Sequence, residues 1–457
     1  MLAAIIIYIL ILVGVGIYDS FKVQNFDDFA VAGKNQTFLR VFFSLMATML
    51  GASATIGVAD RAVQIGFPAF WWLGVGAIGL ILQAVFLSEK IRSLNANTLP
   101  DVAQKTVGTG GKTLLALIIA VSWIGIIAAQ FVSIANIISV VLPGIDMEML
   151  LTIISVIVII YTLFGGQLSV IKTDCVQSWM IAVGIIVAFV YIFAVNGSSN
   201  AKIVGSMNLL NSDFDMMDLI NLLFITGGAY FLGPDIVSRN LVSKDGRTAK
   251  NAAIASAVGL AVFSIIITLI GLWAANNISA ETLNGQNPLL YIMDKFLPYP
   301  IAILLCLALM STLLSSADTC MINAATIIEH DLLKRNKVNE IRIIVCILGA
   351  AGLAIALFRK DIIGLLMGAY SIYVPGIVCP LFFAIWFYGR RSICKPLWCI
   401  AVIAGGTLGL MNSFFGIGSE LLPLIGMGVS FVISGIAVLV GKELVVEEIR
   451  AVSEDGV

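Results

Sequence analysis

Ser311-Thr312-Leu313-Leu314-Ser315-Ser316-Ala317-Asp318-Thr319 places five hydroxyls and a carboxylate inside a run otherwise oily enough to cross a membrane. At about 100° of turn per residue, Ser311, Thr312, Ser315, Ser316, Asp318, Thr319 and, further on, Asn323 and Thr326 fall within an arc of roughly 160°. The Ala, Leu, Ile and Met side chains are left for neighbouring helices or lipid, so the polar face must point inward. Polar and ionisable side chains at membrane depth are costly; they line pathways or bind ions. Oxygen ligands without nitrogen or sulfur suit a hard cation, and Na+ is the leading candidate.

The rest of the chain agrees with a membrane setting. Of its 457 residues 60% are hydrophobic and only 12% charged, and its mean hydropathy is +1.05; soluble domains carry about a quarter charged residues. The fold class is therefore an all-α polytopic membrane protein. Apolar runs long enough to cross about 30 Å have approximate cores at 2–18, 38–60, 67–88, 113–142, 147–164, 169–195, 216–238, 249–275, 300–328, 340–358, 361–388, 394–415 and 420–441. Loop charges test that count, because Lys and Arg collect on the cytoplasmic side. With the N-terminus outside and the C-terminus inside, only Arg61, Lys202, Lys295, Arg359 and Lys360 of the 26 basic residues fall outside. A miscount by one span would scramble that alternation. The first span lacks a basic lead-in and a small-x-small cleavage site before Asp19, so it reads as retained. The expected setting is the plasma membrane, the inner one in a bacterium, with 442–457 as a charged cytoplasmic tail.

The seven cysteines form no CxxC pair and read as small buried hydrophobes. The single His330 has no evident metal-ligand companion in sequence and reads as a helix-end structural residue. No phosphate-binding loop, dinucleotide fingerprint or nucleophile elbow occurs, and no acid, base and nucleophile set converges, so neither an enzyme nor a nucleic-acid partner is expected. Energy for transport must then come from an ion gradient.

Two spans carry glycine where a plain spanning helix would not want it: Ala47-Thr48-Met49-Leu50-Gly51-Ala52-Ser53-Ala54-Thr55-Ile56-Gly57 and, five spans later, Thr226-Gly227-Gly228-Ala229-Tyr230-Phe231-Leu232-Gly233-Pro234. Transporters built from inverted repeats interrupt corresponding helices at mid-membrane, where freed carbonyls and half-helix ends bind ions and solute. On that reading 38–195 and 216–388 are two five-helix repeats, with 2–18 and 394–441 peripheral. The other reading is that these glycines only allow close packing. Between them, Gly165-Gly166 turns the chain and Asp174 sits about a turn and a half into the next helix, either paired with Lys172 or Arg239 or reaching the hydroxyl face as an ion ligand. At the outer end of the second span, Asp60-Arg61 is either a surface pair or a gate.

The chain resembles the sodium:solute symporters. The resemblance rests on Gly165-Gly166 with Thr173-Asp174 and Gln177, on Ser315-Ser316-Ala317-Asp318-Thr319 ending at Asp331, on Phe29-Ala30-Val31-Ala32-Gly33-Lys34, and on Gly233-Pro234-Asp235 with Arg239. It implies a LeuT-like core of two inverted five-helix repeats, alternating access, and a main sodium site. That site would use the carbonyls of Ala47, Leu50 and Thr312 with the hydroxyls of Ser315 and Ser316. It further implies a second sodium set at Asp174, Ser315, Asp318 and Thr319, so that one or two Na+ act as coupling ions; Asp318, where relatives can have serine, either tightens that site, carries a proton, or pairs with a buried donor.

By the same resemblance Gly51, Ala54, Thr55, Leu73, Gly76, Gln130 and Tyr230 line a solute pocket, with Phe231 and Trp72 nearby. For Tyr230, Trp71 and Trp72 ordinary packing or an interfacial belt is the alternative. Few of these groups hydrogen-bond, which disfavours a sugar. The expected function is sodium-coupled symport of a small organic solute, an amino acid or monocarboxylate, by a monomer in the lipid bilayer. Proton coupling on the same scaffold and a membrane sensor are the alternatives.

Overall fold

The computed structural model describes residues 1–21, 25–164, 166–195, 207–283, 285–415 and 421–443. Gly165, Lys202 and the tail from 444 onward, all used in the sequence reading, lie outside them. Every long apolar run forms a helix, because a backbone in lipid must satisfy its own hydrogen bonds. They are α1 (Leu2–Ser20), α2 (Phe38–Met49), α3 (Ser53–Ile65), α4 (Phe67–Phe86), α5 (Thr109–Val141), α6 (Met147–Phe164), α7 (Gln167–Val195), α8 (Met216–Leu232) and α9 (Pro234–Val242). After them come α10 (Gly246–Asn277), α11 (Tyr299–Leu333), α12 (Val338–Phe358), α13 (Ile362–Phe387), α14 (Lys395–Phe415) and α15 (Leu422–Val440). Twelve spans are long and apolar enough on their own, and α2 with α3 makes a thirteenth, bent by 61°. No strand occurs among the described residues.

The two glycine-bearing spans differ in how they are interrupted. In the first, Leu50 leaves the helical region at φ −83°, ψ 36°, and α3 starts with a π-helical turn over Ser53–Gly57. In the second the interruption is at Gly233, extended at φ −64°, ψ 141°, and Pro234 opens α9, where its missing N–H is no loss. Thr226-Gly227-Gly228 stays helical. There the packing alternative holds: a Cβ on Gly227 would lie 3.1 Å from the Val75 carbonyl oxygen and one on Gly228 2.7 Å from Val374.

At the centre lies α11, packed against α7, α5 and α12. From Ala308 to Ile327 every residue is buried, so its Leu, Ile and Met side chains meet protein rather than lipid. Peripheral α1 packs on α6, α7 and α11, and its Tyr8 hydroxyl shares a 2.7 Å hydrogen bond with Ser311. On the opposite flank α14 and α15 pack against α13. Asp60 accepts from Gln64 at 2.8 Å; no Asp60–Arg61 ion pair occurs among the described residues, and the Trp71 indole is held by the Leu209 carbonyl at 2.9 Å.

Close approach of α4 to α8 depends on glycine, since a Cβ at Gly79 would collide with the Gly227 carbonyl oxygen. Gly79→Val is expected to destabilise the fold by about 1–3 kcal/mol, the usual range for overpacking. A lowered midpoint in detergent thermal unfolding checks this, and a midpoint equal to the parent's would refute it.

Candidate ion and solute site

The break in the first glycine-bearing span is stitched by side chains from two other helices. Ser316 Oγ donates to the Thr48 carbonyl at 2.8 Å and to the Thr312 carbonyl at 2.9 Å. Gln130 Oε1 of α5 accepts from the Ala52 amide at 3.2 Å, and the Gly51 carbonyl takes the Thr55 amide and hydroxyl. Gly51 is required here, because a Cβ would sit 2.6 Å from Ser316 Oγ. Among the described residues no hydrogen bond reaches the carbonyls of Ala47 or Leu50, although both residues are buried to within 1%. Buried carbonyls are rarely left without a partner. Of the expected main site, Thr312 and Ser316 are tied to this junction by those hydrogen bonds, while Ser315 Oγ is turned to Asp174.

The expected second set is divided instead. Asp174 of α7 accepts from Ser44, from Ser315 Oγ at 2.6 Å and from Arg239 Nη2 at 3.2 Å, and both charged side chains are fully buried. The same guanidinium donates to Ser44 Oγ at 3.0 Å, Thr48 Oγ1 at 2.9 Å and Thr319 Oγ1 at 2.8 Å. A positive side chain thus lies among Asp174 and Thr319, where the sequence reading put a sodium ion. Asp318 turns to another partner, accepting from the Tyr161 hydroxyl at 2.8 Å, while its other oxygen has no partner among the described residues. Of the two pairings considered for Asp174, Arg239 is the one made, and Lys172 binds Asp19 at 2.7 Å.

Beside the break lies a cavity of about 60 Å³. Of the residues expected to line it, Gly51, Gln130 and Tyr230 do. Ala54 and Thr55 are packed inside α3 and Leu73 inside α4, each fully buried. Gly76 serves as a floor for the Tyr230 ring, about 3.1 Å from where its Cβ would be. Phe231 and the Trp72 neighbourhood lie elsewhere, Phe231 in an apolar pocket with Phe382 and Trp72 in a separate pocket near Arg61. The sequence reading missed Trp123, Ile126, Asp235, Cys320, Leu366 and Tyr370, which do line the cavity. Asp235 carried a signal, being an acid directly after Gly233-Pro234; the α5 and α13 residues carried none, because only tertiary packing brings those helices to the break.

At the end of α11, His330 does have carboxylate companions: Asp101 at 2.9 Å and Asp331 at 3.9 Å. The Lys112 ammonium reaches Asp101 at 2.6 Å and Asp331 at 2.9 Å. Burial alone would push the Asp101 carboxyl up, but the His330 and Lys112 contacts outweigh it and hold that carboxyl below the usual carboxylate range. With a resident ammonium between the acids, the cluster is an ion-paired brace for the end of the bundle.

A broken first helix, a hydroxyl-faced central helix and a cavity where they meet define an ion-coupled transporter of the LeuT-like fold. The structure of a Na+-coupled sialic acid symporter superposes with a TM-score of 0.80 at 17% identity, covering 97% of this chain and 98% of that one. MhsT in complex with L-phenylalanine gives 0.61 at 12% identity, over 88% and 97%. The sequence profile of the sodium:solute symporter family matches residues 29–391, and the chain belongs to that family. Among its relatives, the human high affinity choline transporter 1 is 26% identical over 83% of this chain and 72% of its own. The sodium/glucose cotransporter of Vibrio parahaemolyticus is 24% identical over 72% and 67%.

Removing one member of a buried ion pair leaves the other charge uncompensated, at roughly 3–5 kcal/mol, whereas removing both is far milder. Arg239→Met is therefore expected to destabilise the protein more than the double variant Arg239→Met with Asp174→Asn. A detergent unfolding series in which the two losses simply add would refute this coupling.

Proposed function

We propose that this protein is a sodium-coupled symporter that carries a small organic solute into the cell by alternating access, with one Na+ as the driving ion. The observation that carries this is the pair of unpartnered carbonyls, Ala47 and Leu50, at a helix break opposite Ser315 and Ser316. A carbonyl stripped of hydrogen bonds at membrane depth needs a positive partner. Ser315 donates its proton to Asp174 and Ser316 to backbone, which leaves hydroxyl lone pairs for a cation. Carbonyls of Ala47, Leu50 and Thr312 with these two hydroxyls make five neutral ligands, so the ion is held weakly enough to leave again.

Arg239 supports a count of one. Its guanidinium already supplies the positive charge that Asp174 and Thr319 would otherwise offer to a second sodium. The segments 38–195 and 216–388 are taken as the repeats that move against each other, the basic ends of the spans as cytoplasmic, with the N-terminus outside in the plasma membrane, and the unit as a monomer. The cavity wall bears on the solute: it holds a carboxylate, Asp235, and no Lys, Arg or His. That removes the ground for a monocarboxylate and leaves solutes with an amine.

Two measurements test the reading in proteoliposomes with inward Na+. Replacing Ser315 and Ser316 by Ala should raise the half-saturating sodium concentration roughly tenfold or more, as expected for ligand oxygens of about 1–2 kcal/mol each. Unchanged sodium dependence, or uptake that persists without Na+ and collapses with a pH gradient, would defeat it. Radioactive sodium and solute fluxes should stand at one to one; a ratio of two would restore a second ion.

A further inference from the structure

Asp235 is an unusual wall for a solute cavity in a membrane. It is the second residue of α9, directly after the Gly233 break, and it shares the cavity with Thr48, Gly51 and Ser316 from the other break and from α11. The residue is half-buried and lines that cavity. Among the described residues every hydrogen-bond donor to it is neutral. Trp123 Nε1 donates to its two oxygens at 3.1 and 3.0 Å, Asn323 Nδ2 donates at 2.9 Å and Cys320 Sγ weakly at 3.5 Å. No ion-pair partner for it occurs among the described residues. The nearest cation along its own helix, Arg239 one turn on, directs its donors to Ser44, Thr48, Asp174, Thr319 and Ser238 and none to Asp235. Neutral donors orient a carboxylate without compensating its charge.

The rest of the wall is aromatic. Trp123 is pinned by its own hydrogen bond to Asp235 and by an edge contact with Tyr373 at 5.0 Å. Tyr230 is fixed over Gly76 and directs its hydroxyl to the Met49 carbonyl at 3.4 Å, and Tyr370 closes the other side. Aromatic faces carry negative potential and attract organic cations, the more so when water is excluded. A carboxylate among such rings is a poor match for an anion and offers a sugar too few hydrogen-bonding groups.

We propose that the solute carries a positively charged amine, and that Asp235 is its counter-charge within a wall formed by Trp123, Tyr230 and Tyr370. This rests on the sodium-coupled reading, since the ion would sit on the Ser316 side of the same cavity and the ammonium on the Asp235 side. Sodium alone does not account for the wall: a small hard ion is served by the carbonyls and hydroxyls at the break, and gains little from three rings.

The test uses the full chain in lipid nanodiscs, with thermal unfolding read in NaCl and in KCl. Tetramethylammonium and choline are the probes; acetate and glucose are the controls. Expected is a saturable rise in midpoint with the two ammonium probes in NaCl only, and none with acetate or glucose. Asp235→Asn should raise the half-effective ammonium concentration tenfold or more while keeping the stabilisation by Na+ alone, and Asp235→Glu should recover part of the loss. If Na+ alone stabilises but neither ammonium probe does, the proposal falls and the sodium reading stands. Absence of any Na+ effect sinks both. If Asp235→Asn shifts the sodium response and leaves the ammonium response alone, Asp235 belongs to the ion and the proposal is overturned. Should Asp235→Asn not fold, the parent protein decides, since a response to acetate or glucose in place of the ammonium probes is equally fatal.

Discussion

A helix that unwinds at membrane depth is admissible only if something else takes up the backbone groups it releases, because lipid offers them nothing. Around Leu50 that service comes from α11 and α5. Ser316 holds the Thr48 carbonyl, Gln130 holds the Ala52 amide, and Gly51 lets Ser316 come close enough. Among the described residues the stitching leaves backbone groups unpartnered, the carbonyls of Ala47 and Leu50 among them. Complete satisfaction would make an inert kink. In the proposed coupling, released oxygens beside hydroxyls would give a monovalent cation ligands in place of the water it sheds.

Three carboxylates near the middle of α11, Asp174, Asp318 and Asp235, each have different partners, and the differences sort their roles. Asp174 is matched by a guanidinium and two hydroxyl-bearing neighbours, Ser44 and Ser315, a compensated pair. Such pairs contribute little net stability, because desolvation offsets attraction, but losing one member is severe. Asp318 accepts from the Tyr161 hydroxyl. Asp235 has several neutral donors and, among the described residues, no ion-pair partner, and it lines the cavity. Only the last keeps a charge available to something that enters.

Family membership and these local arrangements constrain one another. The sodium:solute symporter family includes relatives named for choline and for glucose transport, so membership alone leaves the cargo open. The proposed reading draws on the charge and aromatic surface of the cavity wall for the cargo, and on the guanidinium beside Asp174 for the ion count.

Much was legible in the chain. Thirteen spans follow from apolar run length, and the ranges in the structure match those runs to within a few residues at most ends. The inward polar face of α11 follows from its helical period, and the first break from Gly51 in a run that should otherwise stay helical. The second was read as a glycine effect across Thr226–Pro234, yet only Gly233-Pro234 opens the helix, because proline removes a donor and glycine in a packed helix does not. What tertiary structure alone decided is which polar groups meet. Arg239 and Asp174 are 65 residues apart and Trp123 and Asp235 are 112 apart, and hydropathy cannot tell a carboxylate answered by arginine from one answered by an indole. One-dimensional periodicity determines which face of a helix is polar; the partner on the opposite helix depends on register and crossing, which close packing sets through contacts distant in the chain.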